Sequence, residues 1–203
     1  LNEKQHEELN FWKDLLQKEG KTGFLTHRKR DFEEKTQYFT GLHNEQGIGL
    51  DLGSGLLSIF EFSSELCEKN KIWAVDPLMD EYINIIKQTY PTDYDNLSVN
   101  YLKSEETSYI PFDDKLFDWI FCVNVYDHVP DTERLIYDIY CTLKPGGRLY
   151  FGVNFDDILW IAHYFKCNYS LVEEALSRFK LIDGHIIRNN KDSQYNYWGE
   201  YIK

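Results

Sequence analysis

Hydrophobic and polar positions alternate along this chain in two rhythms, and the change between them organises everything that follows. Residues 3–20 carry Leu9, Phe11, Trp12, Leu15 and Leu16 as a partial apolar stripe, which predicts an amphipathic helix stopped by Gly20. Residues 21–45 are polar and punctuated by Gly23 and Gly41, which predicts a loop with a short helix around 28–39. From Ile48 onward short apolar runs alternate with helical segments. Strands are predicted at Gly47–Leu52, Lys71–Val75, Leu97–Leu102, Phe117–Val123 and Arg148–Val153. Helices are predicted from Leu56 to Lys69, near Asp80–Thr89, and over Asp131–Thr142, the last ended by Lys144-Pro145-Gly146-Gly147. Phe117–Val123 is almost wholly apolar, as a central parallel strand buried on both faces requires.

Strands alternating with helices imply parallel crossover units, hence an α/β fold with a doubly wound sheet and helices on both faces. The tail breaks the pattern. Ser170-Leu171-Val172-Glu173 reads as a capping box opening a helix. Phe179–Arg188 and Tyr195–Ile202 then read as a hairpin joined by the polar turn Asn189-Asn190-Lys191-Asp192-Ser193. Such a hairpin would add an antiparallel strand to a mostly parallel sheet. The expected organisation is an N-terminal helical segment over residues 1–45, acting as a lid, ahead of one domain over residues 46–203.

Composition narrows the partners. A chain of 203 residues suits one domain with a sizeable core. A net charge of −12 argues against a nucleic-acid partner, because phosphate-backbone binding needs a basic face. The run His27-Arg28-Lys29-Arg30 remains a candidate for one local basic pocket. The four cysteines show no C-x-x-C pair or zinc-finger spacing, which suggests a reducing compartment. Leu1–Gln5 is polar with no apolar signal region, and a chain opening without Met is expected to be trimmed there. No apolar run approaches bilayer length, so the expectation is a cytoplasmic protein with no membrane partner and a small-molecule substrate, as monomer or homodimer.

The strongest chemistry lies in Asp51-Leu52-Gly53-Ser54-Gly55. A strand feeding a Gly-rich turn lets backbone approach a ligand closely. Asp51, inside the strand end, suits the ammonium of an amino-acid-bearing cofactor and would sit badly beside a pyrophosphate. Ser58 stands where a G-x-G-x-x-G dinucleotide fingerprint has its third glycine. Asp76 ends the second strand, 21 residues after Gly55, where a carboxylate can accept both hydroxyls of a ribose.

With Ile110-Pro111-Phe112-Asp113-Asp114-Lys115-Leu116-Phe117-Asp118-Trp119-Ile120 and Leu143-Lys144-Pro145-Gly146-Gly147-Arg148-Leu149, these residues resemble the class I S-adenosylmethionine-dependent methyltransferases of the type 11 kind. The resemblance covers roughly residues 47–155 and implies a Rossmann-like fold whose last strand is inserted through a C-terminal hairpin. It implies S-adenosylmethionine as cofactor and S-adenosylhomocysteine as product. Asp51, Gly53, Ser54 and Gly55 would line the methionine part, and Asp76 the ribose. Pro77 and Leu78 would lie beside the adenine. The acidic partner of the adenine amino group would fall at Glu106, with Glu105 and Thr107 adjacent, although Lys103-Ser104-Glu105-Glu106-Thr107 departs from the usual Gly-Asp-Ala. Asn124 matches the position whose backbone touches the cofactor's amino end.

Acceptor candidates follow the fourth strand in Asn124-Val125-Tyr126-Asp127-His128-Val129-Pro130-Asp131, on the ligand side of an open sheet. His128 has the pKa range of a general base, with Tyr126 and Asp127 as alternatives. Asn154, Asp156, Asp157 and His163 lie where the family closes the acceptor pocket. The spacing of the six histidines shows no ligand pattern, so no metal is expected. Trp12, Arg28 and Arg30 precede the cofactor loop, and the arginines could clamp a phosphate or carboxylate in bidentate fashion. Together with Val75–Tyr82, this segment is loosely similar to bacterial methyltransferases of capsule and surface-glycan biosynthesis. The expected reaction is O-methylation of a sugar or phosphorylated metabolite, with N- or C-methylation of a small aromatic or amine as alternative. An NAD(P)-dependent oxidoreductase and a non-catalytic cofactor-binding protein are the other classes to separate.

Overall fold

The structure, a computed structural model, describes residues 1–89, 96–105, 109–155, 163–188 and 195–203. Seven strands form a single sheet: β1 (Gly47–Leu52), β2 (Asn70–Asp76), β3 (Asn100–Lys103), β4 (Phe117–Val123), β5 (Leu143–Phe155), β6 (Lys180–Arg188) and β7 (Tyr195–Ile202). Their order is β3-β2-β1-β4-β5-β7-β6. Pairings from β3 through β5 are parallel, whereas β7 runs antiparallel to both β5 and β6. The chain therefore lays the C-terminal hairpin so that its second strand inserts beside β5. This is the Rossmann-like, doubly wound architecture with an antiparallel end.

Period-two alternation decides which side chain meets which layer. Along β4, Trp119, Phe121 and Val123 pack with Phe39, Phe60 and Tyr150 on one face. Ile120 and Cys122 point oppositely, into a cluster with Leu135, Ile139 and Val172 from α4 (Thr132–Thr142) and α5 (Tyr169–Ala175). A third cluster joins Leu9, Trp12, Leu16 and Phe24 to Leu56, Leu57, Leu78 and Tyr82, so the N-terminal helix shares a core with the cofactor loop.

Several predicted boundaries move. The loop expected between Gly20 and the short helix around 28–39 is itself helical: α1 (Glu3–Thr36) kinks at Gly20 (φ 65°, ψ 179°) and resumes at once, running through to Thr36. Phe24 is fully buried and Arg28 nearly so. Burying that face outweighs the weak helix propensity of a Gly- and Thr-containing stretch. The long helix expected over 56–69 is replaced by a 3-10 turn (Ile59–Phe62) and the short α2 (Ser64–Lys69). Ser58 and Ser63 accept from the backbone N–H groups of Phe60 and Leu66, restarting the chain twice. β3 begins at Asn100, because the N–H groups of Ser98 and Val99 donate to the Glu61 carboxylate and not to a strand. Asn168, not Ser170, caps α5, its side chain accepting from Leu171 N. The strand β5 begins at Leu143, so Lys144-Pro145-Gly146-Gly147 lies inside it, with a register shift opposite Phe117 and Trp119. Asp80–Thr89 is extended by one residue as α3 (Met79–Thr89).

Candidate active site

The sheet reverses its winding between β1 and β4, and ligands of such sheets bind outside the carboxyl ends of the strands at that point. Here β1 delivers Asp51, β2 delivers Asp76, β4 delivers Asn124 and β5 delivers Asn154 to one rim. Between β1 and α2 the loop turns through two left-handed glycines, Gly53 (φ 66°) and Gly55 (φ 67°). A Cβ on Gly53 would lie 2.5 Å from Val125, and one on Gly55 2.6 Å from the Trp12 indole. Only glycine satisfies both the dihedral and the space.

Asp76 accepts from Gly55 N (3.1 Å) and Leu78 N (2.9 Å), so it ties the loop to the entrance of α3. Burial pushes its carboxyl up to about 7 against these bonds. Asp51 accepts from Ser58 Oγ at 2.6 Å, and burial raises it to about 6. Ser58 is thus the residue that aims Asp51. Lys35 stands near Asp51, Arg28 and Asp31, and burial, then Arg28, holds its ammonium below the usual lysine value. Sequence reading missed Lys35. The i, i+3, i+7 spacing of Arg28, Asp31 and Lys35 on one helical face was the signal available.

Two adjoining cavities open along this rim, of about 70 Å³ and about 290 Å³. Glu8, Gly53, Asn124 and His128 line both, so they are parts of one groove. Asp76, Pro77 and Leu78 line the narrow end, whereas Ser54, Gly55, Asn154 and His163 line the wide one. Asn124 is held left-handed (φ 57°), an uncommon state for a residue other than glycine, and its Oδ1 is buried without a hydrogen-bond partner among the described residues. From α1, Trp12 donates to Glu8 Oε1 (2.9 Å), and both close over the groove.

After β4 a 3-10 turn (Tyr126–His128) places Asp127 and His128 beside His163. His163 Nδ1 lies 3.4 Å from Asp127 Oδ2, and the two imidazole rings meet edge to face at 4.5 Å. Burial, then His163 and Lys4, push His128 down to about 3. It is neutral at physiological pH and, at that pKa, a weak proton acceptor.

Other candidates fall elsewhere. Tyr126 packs edge-on against Phe151 and Phe165 and opens to the groove between α4 and α5, away from Asp51 and Asp76. Arg28 spends its guanidinium on the carbonyls of Leu57 and Ser54 and on Asp31, not on a bound anion. Arg30 is exposed and pairs with Glu34. Glu105 is exposed and outside the groove, while its neighbour Ser104 is buried with its N–H on Asp76 O. Glu106, Thr107, Asp156, Asp157 and the hairpin turn 189–193 lie outside the described residues. Among the described residues no helix is long and apolar enough to cross a membrane.

Comparison with known proteins agrees with this layout. Residues 50–151 match the family described as "Methyltransferase domain". A ubiquinone biosynthesis O-methyltransferase of Coxiella burnetii is 27% identical over 111 residues, 55% of this chain and 44% of that protein, so the chain spans less than half the length of that relative. A phosphoethanolamine N-methyltransferase of Caenorhabditis elegans is 47% identical over 38 residues, 19% of this chain and 9% of its own. A SAM-dependent methyltransferase structure from Aquifex aeolicus superposes with a TM-score of 0.59 at 18% identity, covering 86% of this chain and 97% of its own. At that identity the likeness concerns the fold. Half of the chain, including the loop, Asp76 and β4, falls within the family match: the chain belongs to the methyltransferase-domain family and carries the fold of class I S-adenosylmethionine-dependent methyltransferases.

Proposed function

We propose that the chain transfers the methyl group of S-adenosylmethionine to an oxygen of a small polar acceptor, a sugar or phosphorylated metabolite, with surface-glycan assembly as the setting to test first. The observation that carries this reading is the continuous groove, with Gly53–Gly55 and Asp76 on one wall and Asn154, His128 and His163 on the other, and Asp51 buried behind the loop. The donor set suits the cofactor. Asp51 offers a carboxylate to an ammonium, and Lys35 stands on the same side as the cation for a carboxylate. Asp76 faces the ribose position, and Pro77 and Leu78 supply apolar contact for adenine. The orphaned Asn124 Oδ1 and Glu8 Oε2 are polar atoms that a bound polar ligand would satisfy.

When bound, the cofactor supplies an electrophilic methyl on a sulfonium, which an acceptor oxygen takes as the carbon–sulfur bond breaks and sulfur keeps the electron pair. The chain's own work is then positioning and exclusion of water. Residues 1–45 act as the lid in this reading and 46–203 as the catalytic domain. Trp12 closes the loop side, and Glu8 the His128 side. Four cysteines, none in a disulfide, fit a cytoplasmic reaction.

Purified protein with methyl-labelled cofactor is expected to label sugar-phosphate or glycan-precursor fractions of an extract. Label confined to protein or RNA would overturn the assignment. The short match to a phosphoethanolamine N-methyltransferase favours a second reading, N-methylation of a small amine. The carboxylates of Glu8 and Asp127 beside the groove suit a cationic acceptor, and label entering the amine fraction would select it.

A further inference from the structure

Asp127, His128 and His163 each present one ligand atom, and these atoms all lie within 4.8 Å of one another. We propose that they bind a divalent transition-metal ion, Zn²⁺ or a first-row neighbour, whose open positions face the groove and take the acceptor's hydroxyl oxygen. Four observations support the site. First, the 3.4 Å between His163 Nδ1 and Asp127 Oδ2 equals the edge of a tetrahedron with metal–ligand bonds of about 2.1 Å. Second, Asp127 is buried and lines neither cavity, while His128 and His163 line the groove, so one ligand comes from the protein side and two from the open side.

Third, the cluster is braced from outside. Tyr164 N donates to Asp127 O at 2.8 Å, and Lys4 Nζ donates to His163 O, so the ligand-bearing segments are held to each other and to α1. Fourth, Glu8 Oε2 sits 3.8 Å from His128 Nδ1, buried and without a hydrogen-bond partner among the described residues. It is a second carboxylate oxygen at the open face, available as a further ligand or as a partner of a coordinated water. Two imidazoles and a carboxylate select zinc, iron, cobalt or manganese over magnesium or calcium, which prefer all-oxygen sites.

The consequence for the acceptor rests on the proposed O-methyl transfer. Three protein ligands leave at least one open position, and two in a five-coordinate ion. An acceptor with a hydroxyl and a second oxygen on the adjacent carbon, such as a vicinal diol, catechol or 2-hydroxy acid, would fill both. Coordination acidifies the bound hydroxyl, so its proton can leave to water while the oxygen takes the methyl carbon. The ion remains in place with its charge unchanged.

Untagged, chelator-treated protein is titrated with Zn²⁺ by calorimetry and with Co²⁺ by visible absorption. The expected result is one ion per chain and a cobalt band, with affinity lowered more than about 100-fold in His163→Ala and in His128→Ala. His43→Ala, outside the cluster, should bind as the parent does. S-adenosylhomocysteine binding reports folding separately in every variant. Substoichiometric binding to the parent protein, or unchanged affinity in a folded His163→Ala or His163→Gln, would overturn the site. Protein that binds S-adenosylhomocysteine but no ion loses the metal site and keeps the methyltransferase reading. Protein that binds the ion but neither cofactor nor product loses the methyltransferase reading alone.

Discussion

Replacing Arg28 with Ala is expected to damage the fold and the cofactor loop, and to leave acceptor recognition largely alone. The side chain is 3% exposed. Its Nε and Nη2 donate to Leu57 O at 3.1 and 2.5 Å, Nη2 also to Ser54 O at 3.2 Å, and Nη1 to Asp31 Oδ2 at 2.8 Å. The guanidinium lies 4.9 Å from the Trp12 ring. Charge-assisted bonds of this kind contribute about 1.5–3 kcal/mol each, and water entering the space left would recover part of the loss. Breaking a buried pair by removing one partner costs about 3–5 kcal/mol, and the full substitution belongs in that range. Arg28→Lys keeps a charge but not the fork, so it should recover less than half. Denaturant unfolding followed by circular dichroism would show a lower midpoint with little change in slope. Calorimetry with S-adenosylhomocysteine would show weaker binding, because the guanidinium holds Ser54 and Leu57 on either side of Gly55. A stability loss below about 1 kcal/mol together with a selective rise in acceptor KM would refute this account and return Arg28 to the acceptor.

Further outcomes concern the two buried aspartates and Tyr126. Asp51 and Asp76 titrate near 6 and 7 because burial disfavours their charged forms, whereas the ordinary aspartate value is 3.8. Their contribution to apo stability is therefore complete below about pH 4 and lost as pH rises through 6 to 7. Cofactor binding has the opposite sign, since an ammonium and ribose hydroxyls prefer carboxylates: affinity should rise across pH 5.5–7.5 with proton release, and Asp76→Asn should flatten the rise. A pH-independent affinity in calorimetry, with no buffer-dependent heat, would count against both carboxylates. For Tyr126, packed between Phe151 and Phe165, Tyr126→Phe should leave kcat/KM within about twofold of the parent, where a proton-accepting phenol would lose about 100-fold or more.

Much of the fold was legible because its signals are local. The apolar run Phe117–Val123 needs no partner to declare itself a buried strand, and it is β4 at those same bounds. Asp51 and the two glycines fall within five residues, so their joint arrival at the end of β1 follows from a single strand–turn unit. Asp76 closes the next strand, and parallel pairing of Leu52 with Val75 brings the two carboxylates to one rim. The hairpin was readable from two strand-like runs, and its antiparallel pairing with β5 follows. What failed was also local in form: the polar stretch after Gly20 looked like a loop because its reason to be helical, the burial of Phe24 and Arg28, lies in other parts of the chain.

The amino-acid sequence by itself determined the order of strands and helices, the loop and both of its aspartates, because each depends on neighbours a few residues away. Only the tertiary structure decided where long side chains point and which distant residues meet. It turned Tyr126 into the core and Asp127 inward against His163, while leaving His128 at the groove. It set Arg28 on loop carbonyls and Arg30 in solvent, though two positions separate them, because a helix turns about 200° over that distance. And it brought His163 against Asp127 across 36 residues of chain, a juxtaposition that no spacing of histidines expresses and that a β4-to-β5 crossover produces.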